Sequence, residues 1–373
     1  MKDRHLSQLD GIRGIAILIV LLGHLLTRNF GLGIGKLGPL PPIGVDLFFV
    51  LSGFLITNVL LRAKSGNHFF RNFYARRALR IAPLYFALLI FMFAIANHRL
   101  AALTFDDQKL HWQVFALYLQ NLYYRQASEL GPLALAVTWS LAVEEQFYMV
   151  WPLLVARLTI RNLAFVASGL VFVAPIARVT LPVFGYDPYI NPLCRVDAMA
   201  IGSLLSLWLW QTKPSDAQIR SLAMRAFAAG AAGEIVCHFL GLSHVMSKSF
   251  VALMFAALLA LSLAWEPLAR ILTVPPLRLT GRVSYCLYLV HPVVGALVYH
   301  ALSGSSLAMK TTRSLLIIVL SYSAAMTSWA FFESPILGLK RYFESGRPST
   351  KLDSLDEVSS ASLGPISRTS RSA

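Results

Sequence analysis

Ile12-Arg-Gly-Ile-Ala-Ile-Leu-Ile-Val-Leu-Leu-Gly-His-Leu-Leu-Thr27 is the stretch that decides how this chain folds. It is apolar almost throughout, yet it holds Arg13 and His24. Eleven residues make three helical turns plus roughly 20°, so the two side chains share one helix face, about 16 Å apart along the axis. Ionisable groups inside a membrane helix are costly and mark function by default. A cation near one water boundary and a proton-transfer group deeper in outline a path through a bilayer with chemistry in it. A cleaved signal peptide does not fit, because no small-residue cleavage site follows the run.

The rest of the chain agrees. Of 373 residues, 56% are hydrophobic and 14% charged, where soluble domains carry about one quarter charged residues. Mean hydropathy is +0.62. Apolar runs of roughly twenty residues recur, each able to cross a hydrocarbon core of about 30 Å. The formal net charge is +15, with the positives gathered in short loops between apolar runs. That is the positive-inside pattern of a membrane protein and excludes a nucleic-acid binder. Cys194, Cys237 and Cys286 are far apart and unpatterned, implying neither a metal site nor a disulfide framework.

The spacing of apolar runs predicts an all-α, polytopic bundle of about ten transmembrane helices, over 12–28, 43–61, 80–97, 138–156, 163–181, 196–212, 221–241, 248–265, 283–301 and 313–332. The Lys/Arg bias predicts both termini on the cytoplasmic side of the cell's inner membrane. His111–Tyr124 is amphipathic and too short to span comfortably, so it reads as a re-entrant or interfacial helix on the outer face. The membrane domain covers 1–342. Residues 343–373 are Ser-, Arg- and acid-rich without an apolar period and read as a disordered cytoplasmic tail.

Polar residues in the apolar segments supply the candidate site. Asp10 shares a face with Arg13 and is positioned to pair with it. Asp46 opens the second span, either orienting a histidine, binding a substrate hydroxyl or complementing the helix dipole. Ser52-Gly53 reads as a close-packing step. Arg71, Arg76, Arg77 and Arg80 precede the third span without a lysine among them, and Arg77 and Arg80 lie on one face. Arginine forks bind phosphate bidentately, which points to a cytoplasmic phosphorylated cosubstrate. Glu144 and Glu145 sit early in the fourth span. Glu144 shares a face with Tyr148 and Trp151, a candidate sugar-lining surface. Arg195 and Asp197 lie at the mouth of the sixth span and either pair or meet substrate. His291 precedes Pro292 mid-span, and either bonds backbone freed by the proline or touches substrate. Glu333, closing the last span, is placed to pair with the Arg77/Arg80 cluster.

Six segments in order resemble the membrane-bound acyltransferase family 3, O-acyltransferases of cell-surface glycans. They are Leu9-Asp-Gly-Ile-Arg-Gly14 with His24, Gly44 to Ile56, Phe73 to Pro83, Trp139 to Tyr148, Ser284 to Pro292 and Phe332-Glu-Ser-Pro335. The resemblance implies a ten-span fold. It implies a catalytic His24 with Arg13, as general base or covalent acyl carrier, and acyl-CoA handling by Arg77 and Arg80 with Arg76 beside them. Asp46 and Glu144 would assist His24, while Glu145, Tyr148, Arg195 and His291 would contact the acceptor. Acyl-CoA, acetyl-CoA above all, is the implied cosubstrate, with no bound cofactor. The partners are a glycan or lipid-linked sugar and the bilayer. Some members carry an appended esterase-like domain, which is not evident in this sequence. The rival reading is a proton-coupled transporter with His24, Asp46 and Glu144 as its relay. It gives the Arg-x-x-Arg cluster no task.

Overall fold

Each of the ten apolar runs is a helix, and the segments between them fold into short helical turns. The computed structural model describes residues 4–30, 40–106 and 109–343, and these are predominantly helical, with no strand among them. The long helices are α1 Arg4–Phe30, α2 Leu40–Ala63, α3 Phe69–Ile90, α4 Trp139–Arg157, α5 Ile160–Thr180, α6 Val196–Thr212, α7 Asp216–Phe239, α8 Ser243–Ala264, α9 Ser284–Ala301 and α10 Leu307–Ser328. Six helical stretches are long and apolar enough to cross a membrane; a seventh is added if Pro275–Arg282 and α9, bent by 73°, count as one. The expected ten crossings therefore stand as ten helices, of which six to seven meet that test. α4 falls short because Glu144-Glu145-Gln146 interrupts its apolar face, and α6 because it has only 17 residues. The tail from Glu344 onward lies outside the described residues.

The centre of the bundle is α1, α2 and α6, with α4 and α9 against them. Ile12, Ala16, Ile17 and Val20 of α1 are fully buried there, as are Phe49, Val50, Phe54 and Leu60 of α2. α2 and α6 meet backbone to backbone: a Cβ on Gly53 would strike the Met199 carbonyl, and one on Gly202 the Val50 carbonyl. Small residues permit this approach where lipid offers no hydrophobic drive for association. α7 and α8 form a peripheral hairpin with a small-residue seam of Ala223, Ala257, Ala260 and Ala264.

Residues 111–124 do not form one helix. Trp112–Ala116 and Gln120–Tyr123 are short turns broken at Tyr118, whose φ is +56°. The segment caps the bundle and is anchored inward, with the Tyr85 hydroxyl donating to the Phe115 carbonyl at 2.8 Å. A π-helical turn, Phe91–Ala96, ends α3, and another, Trp329–Glu333, ends α10.

Candidate active site

His24 and His291 face each other at the centre of the site. α1 runs unbroken through Arg13 and His24, so the face inferred from spacing exists. His24 Nδ1 lies 3.1 Å from His291 Nε2, and His291 Nδ1 lies 2.9 Å from the Leu287 carbonyl. Pro292 withholds an N–H from the Tyr288 carbonyl, which opens the α9 ladder beside the His291 ring. A carbonyl only accepts, so His291 Nδ1 carries a proton. In the neutral ring Nε2 then accepts, and the His24 Nδ1–H donates to it. The network thus assigns the free lone pair of the pair to His24 Nε2. His24 is half-buried, while His291 is buried.

At the Arg13 end of α1 the arginines separate into two kinds. α3 begins at Phe69, so Arg71, Arg76, Arg77 and Arg80 lie on the helix itself and not in a loop before it. Arg77 reaches across to α4, with Nη2 3.4 Å from Glu144 Oε2 and Nε 3.5 Å from Glu145 Oε1. Its guanidinium stacks 3.8 Å above the Tyr148 ring. Arg80 turns toward Arg13 and Asp10, close enough to interact electrostatically with both. Arg13 pairs with Asp10 at 2.9 Å. Arg80 makes no hydrogen bond or ion pair with any described residue. Lys340 is buried against the same group and feels Arg80, Arg76, Arg77 and Arg13. Four cations, Arg13, Arg76, Arg77 and Lys340, therefore gather about the Arg80 guanidinium, which no described residue holds by a hydrogen bond or ion pair.

Away from that cluster, two buried arginine–carboxylate pairs lie within the bundle. Asp46 Oδ1 accepts from Arg195 Nη2 at 2.6 Å, and Asp197 Oδ2 accepts from Arg178 Nη2 at 2.5 Å. Arg195 thus pairs with Asp46 and not with Asp197. Arg195 is 1% exposed and sits 5.3–5.7 Å from the Phe49, Trp139 and Tyr189 ring centres, so it is sealed inside the bundle and not open at a mouth. Between the two regions, Tyr288 and Ser140 share a 2.7 Å hydrogen bond, and the Tyr288 ring centre is 6.1 Å from that of His291.

Several expectations change. No hydrogen bond joins Asp46 or Glu144 to His24 among the described residues; His291, from α9, is the group that does so. Glu144 instead accepts from Ser52 at 2.7 Å, so Ser52 is more than a packing residue. The faces of Tyr148 and Trp151 are taken by Arg77 and Phe147, leaving no open aromatic wall for a sugar. Glu333 accepts from Ser328 at 3.0 Å and forms no ion pair with Arg77 or Arg80. Ser52 and Lys340 went unrecognised from sequence. Ser52 reads as a small packing residue and Lys340 as one more topogenic cation. Tyr288 was legible in one respect, lying three residues before His291 on the same helix face.

A helical membrane bundle with a hydrogen-bonded histidine pair beside a converging arginine cluster defines the class: a multi-pass membrane acyltransferase. The family model described as Acyltransferase domain matches residues 6–332, and the chain belongs to that family, the membrane acyltransferase family 3. It is 28% identical over 374 residues to "Peptidoglycan O-acetyltransferase OatA" of Listeria monocytogenes, covering 91% of this chain and 57% of that protein. It is 26% identical to "O-acetyltransferase OatA" of Staphylococcus aureus, covering 90% and 58%. It is 35% identical over 231 residues to "Putative peptidoglycan O-acetyltransferase YrhL" of Bacillus subtilis, covering 56% and 34%. The chain thus spans little more than half the length of these relatives at most. No solved structure matches it.

Proposed function

We propose that this chain transfers an acetyl group from cytoplasmic acetyl-CoA to a hydroxyl of a cell-envelope glycan, with His24 as general base, while spanning the inner membrane ten times with both termini inside. The observation that carries the reading is the assigned lone pair on His24 Nε2, on the same α1 face as Arg13, whose neighbour Arg80 makes no hydrogen bond or ion pair among the described residues. Histidine is the side chain whose ordinary pKa suits proton transfer at neutral pH.

Arg80 and Arg13, with Arg76 and Lys340 close by, hold the phosphates of acyl-CoA through forked and single-point contacts. The thioester extends along α1 toward His24. His24 Nε2 takes the acceptor's hydroxyl proton as the oxygen attacks the thioester carbon. The C–S bond then breaks, and the proton passes to the departing thiolate, giving the ester and free CoA. Arg77, held by Glu144 and Glu145, is the fixed wall of this route, and Asp46 with Arg195 is the wall beyond it. The names of the relatives make peptidoglycan the first acceptor to examine; exopolysaccharide, O-antigen and lipid-linked sugars have the same hydroxyl chemistry.

The test is incubation of the purified protein, in lipid nanodiscs, with radiolabelled acetyl-CoA and muramic acid-containing oligosaccharides. The reading expects free CoA and alkali-labile label on the sugar. Acetyl-CoA left intact with every glycan offered would contradict it.

A further inference from the structure

We infer that the Arg28 end of α1 binds an anionic group, a carboxylate or phosphate, carried by the acceptor whose hydroxyl His24 deprotonates. The inference rests on the proposed function and narrows its acceptor to anionic glycans. Arg28 lies one turn beyond His24 on the same α1 face, an axial rise of about 6 Å. Its guanidinium stacks 4.3 Å from the Tyr299 ring centre, and Arg313 approaches the same ring at 5.3 Å. Arg313 is held there by the Gly304 carbonyl at 2.9 Å and the Leu302 carbonyl at 3.4 Å. Arg28 is exposed and makes no hydrogen bond or ion pair with any described residue.

Two cations therefore converge on one tyrosine with no counterion among the described residues. The sequence leaves none within its own elements: 11–45 and 267–332 contain no Asp or Glu. These ranges cover α1 beyond Asp10, the connection to α2, all of α9 and all of α10. Lys310 and His300 add to the same end. Such a cluster runs against the charge bias of the topology, which leaves the loops opposite the Arg80 cluster poor in Lys and Arg. Topogenesis therefore does not explain it, whereas recognition of an anion does. The Arg28 fork is free to engage a carboxylate or phosphate bidentately. A ligand held there lies within about one sugar ring of the base.

The test is binding of a fluorescent muramic acid-containing tetrasaccharide to the full chain in phosphatidylcholine nanodiscs, beside the same sugar with its carboxyls reduced to alcohols. The wild type is expected to bind the anionic sugar about tenfold more tightly, a charge-assisted hydrogen bond's worth. Arg28→Gln should abolish that preference without changing affinity for the reduced sugar, and Arg28→Lys should keep part of it. Equal affinity of the wild type for both sugars, or an unchanged preference in Arg28→Gln, overturns the inference. So does loss of the wild-type preference when phosphatidylglycerol replaces part of the lipid, since the cluster would then be a headgroup site. Failure of the proposed function shows separately, as absence of CoA release from acetyl-CoA by the wild type.

Discussion

His291 determines what His24 can do. By accepting from His24 Nδ1 while donating to the Leu287 carbonyl, it fixes the tautomer that leaves His24 Nε2 basic. His291→Ala is expected to lower kcat on the order of 10²-fold, the scale of a misplaced catalytic group, with the KM for acyl-CoA unchanged. His291→Gln, which can both accept and donate at that place, should recover part of the loss; steady-state kinetics on the two variants decides it. The arginines divide in the same residue-level way. Arg77→Ala strands Glu144 and Glu145 inside the bundle and should cost about 3 kcal/mol of stability. Arg80→Ala should leave thermal stability intact and raise the KM for acyl-CoA. Thermal unfolding and kinetics of both variants check this, and the reverse pattern would exchange their roles. The sequence disclosed the Arg13–His24 face because spacing within one helix is local. It could not disclose His24–His291, whose partners are 267 residues apart. It set α3 too late because hydropathy scores four arginines in a row of turns as loop, although each lies on the helix.

At the scale of elements, close helix approach and two π turns position the site. Gly53 and Gly202 let α2 and α6 touch, while Ser52, about 100° further round α2, reaches Glu144. Gly53→Val is expected to part these helices at a cost of about 1–3 kcal/mol and to lower both thermal stability and turnover, read by unfolding and activity of the same preparation. Stability unchanged from wild type would mean that α2 and α6 are not held by that contact. A π turn adds a residue and rotates the next stretch of helix by about 100°. The Trp329–Glu333 turn carries buried Glu333 within electrostatic reach of Arg80 on α3. A 3.6-residue period contains no sign of such a turn, so the convergence of Lys340 on the arginines was not readable. The ten helices were readable, because each is an apolar run bounded by charges or proline.

For the whole molecule, the polar groups form a seam from the Arg13 end of α1, past the histidine pair, to the acid-free cluster at Arg28. The proposed orientation of that seam rests on the distribution of Lys and Arg. An impermeant thiol reagent added to intact cells should label Ser305→Cys, in the loop before α10, and spare Ser65→Cys, between α2 and α3. Labelling of position 65 alone would invert the orientation and move the proposed acyl-CoA site to the outer face. The central claim is that His24 moves the proton on which acyl transfer depends. It is tested most directly by measuring label transfer from radiolabelled acetyl-CoA to glycan by His24→Ala in nanodiscs, with folding verified by thermal unfolding. The account predicts a folded protein that binds acetyl-CoA and forms no acetylated glycan. Acetylated product at the wild-type rate from the folded variant would contradict it.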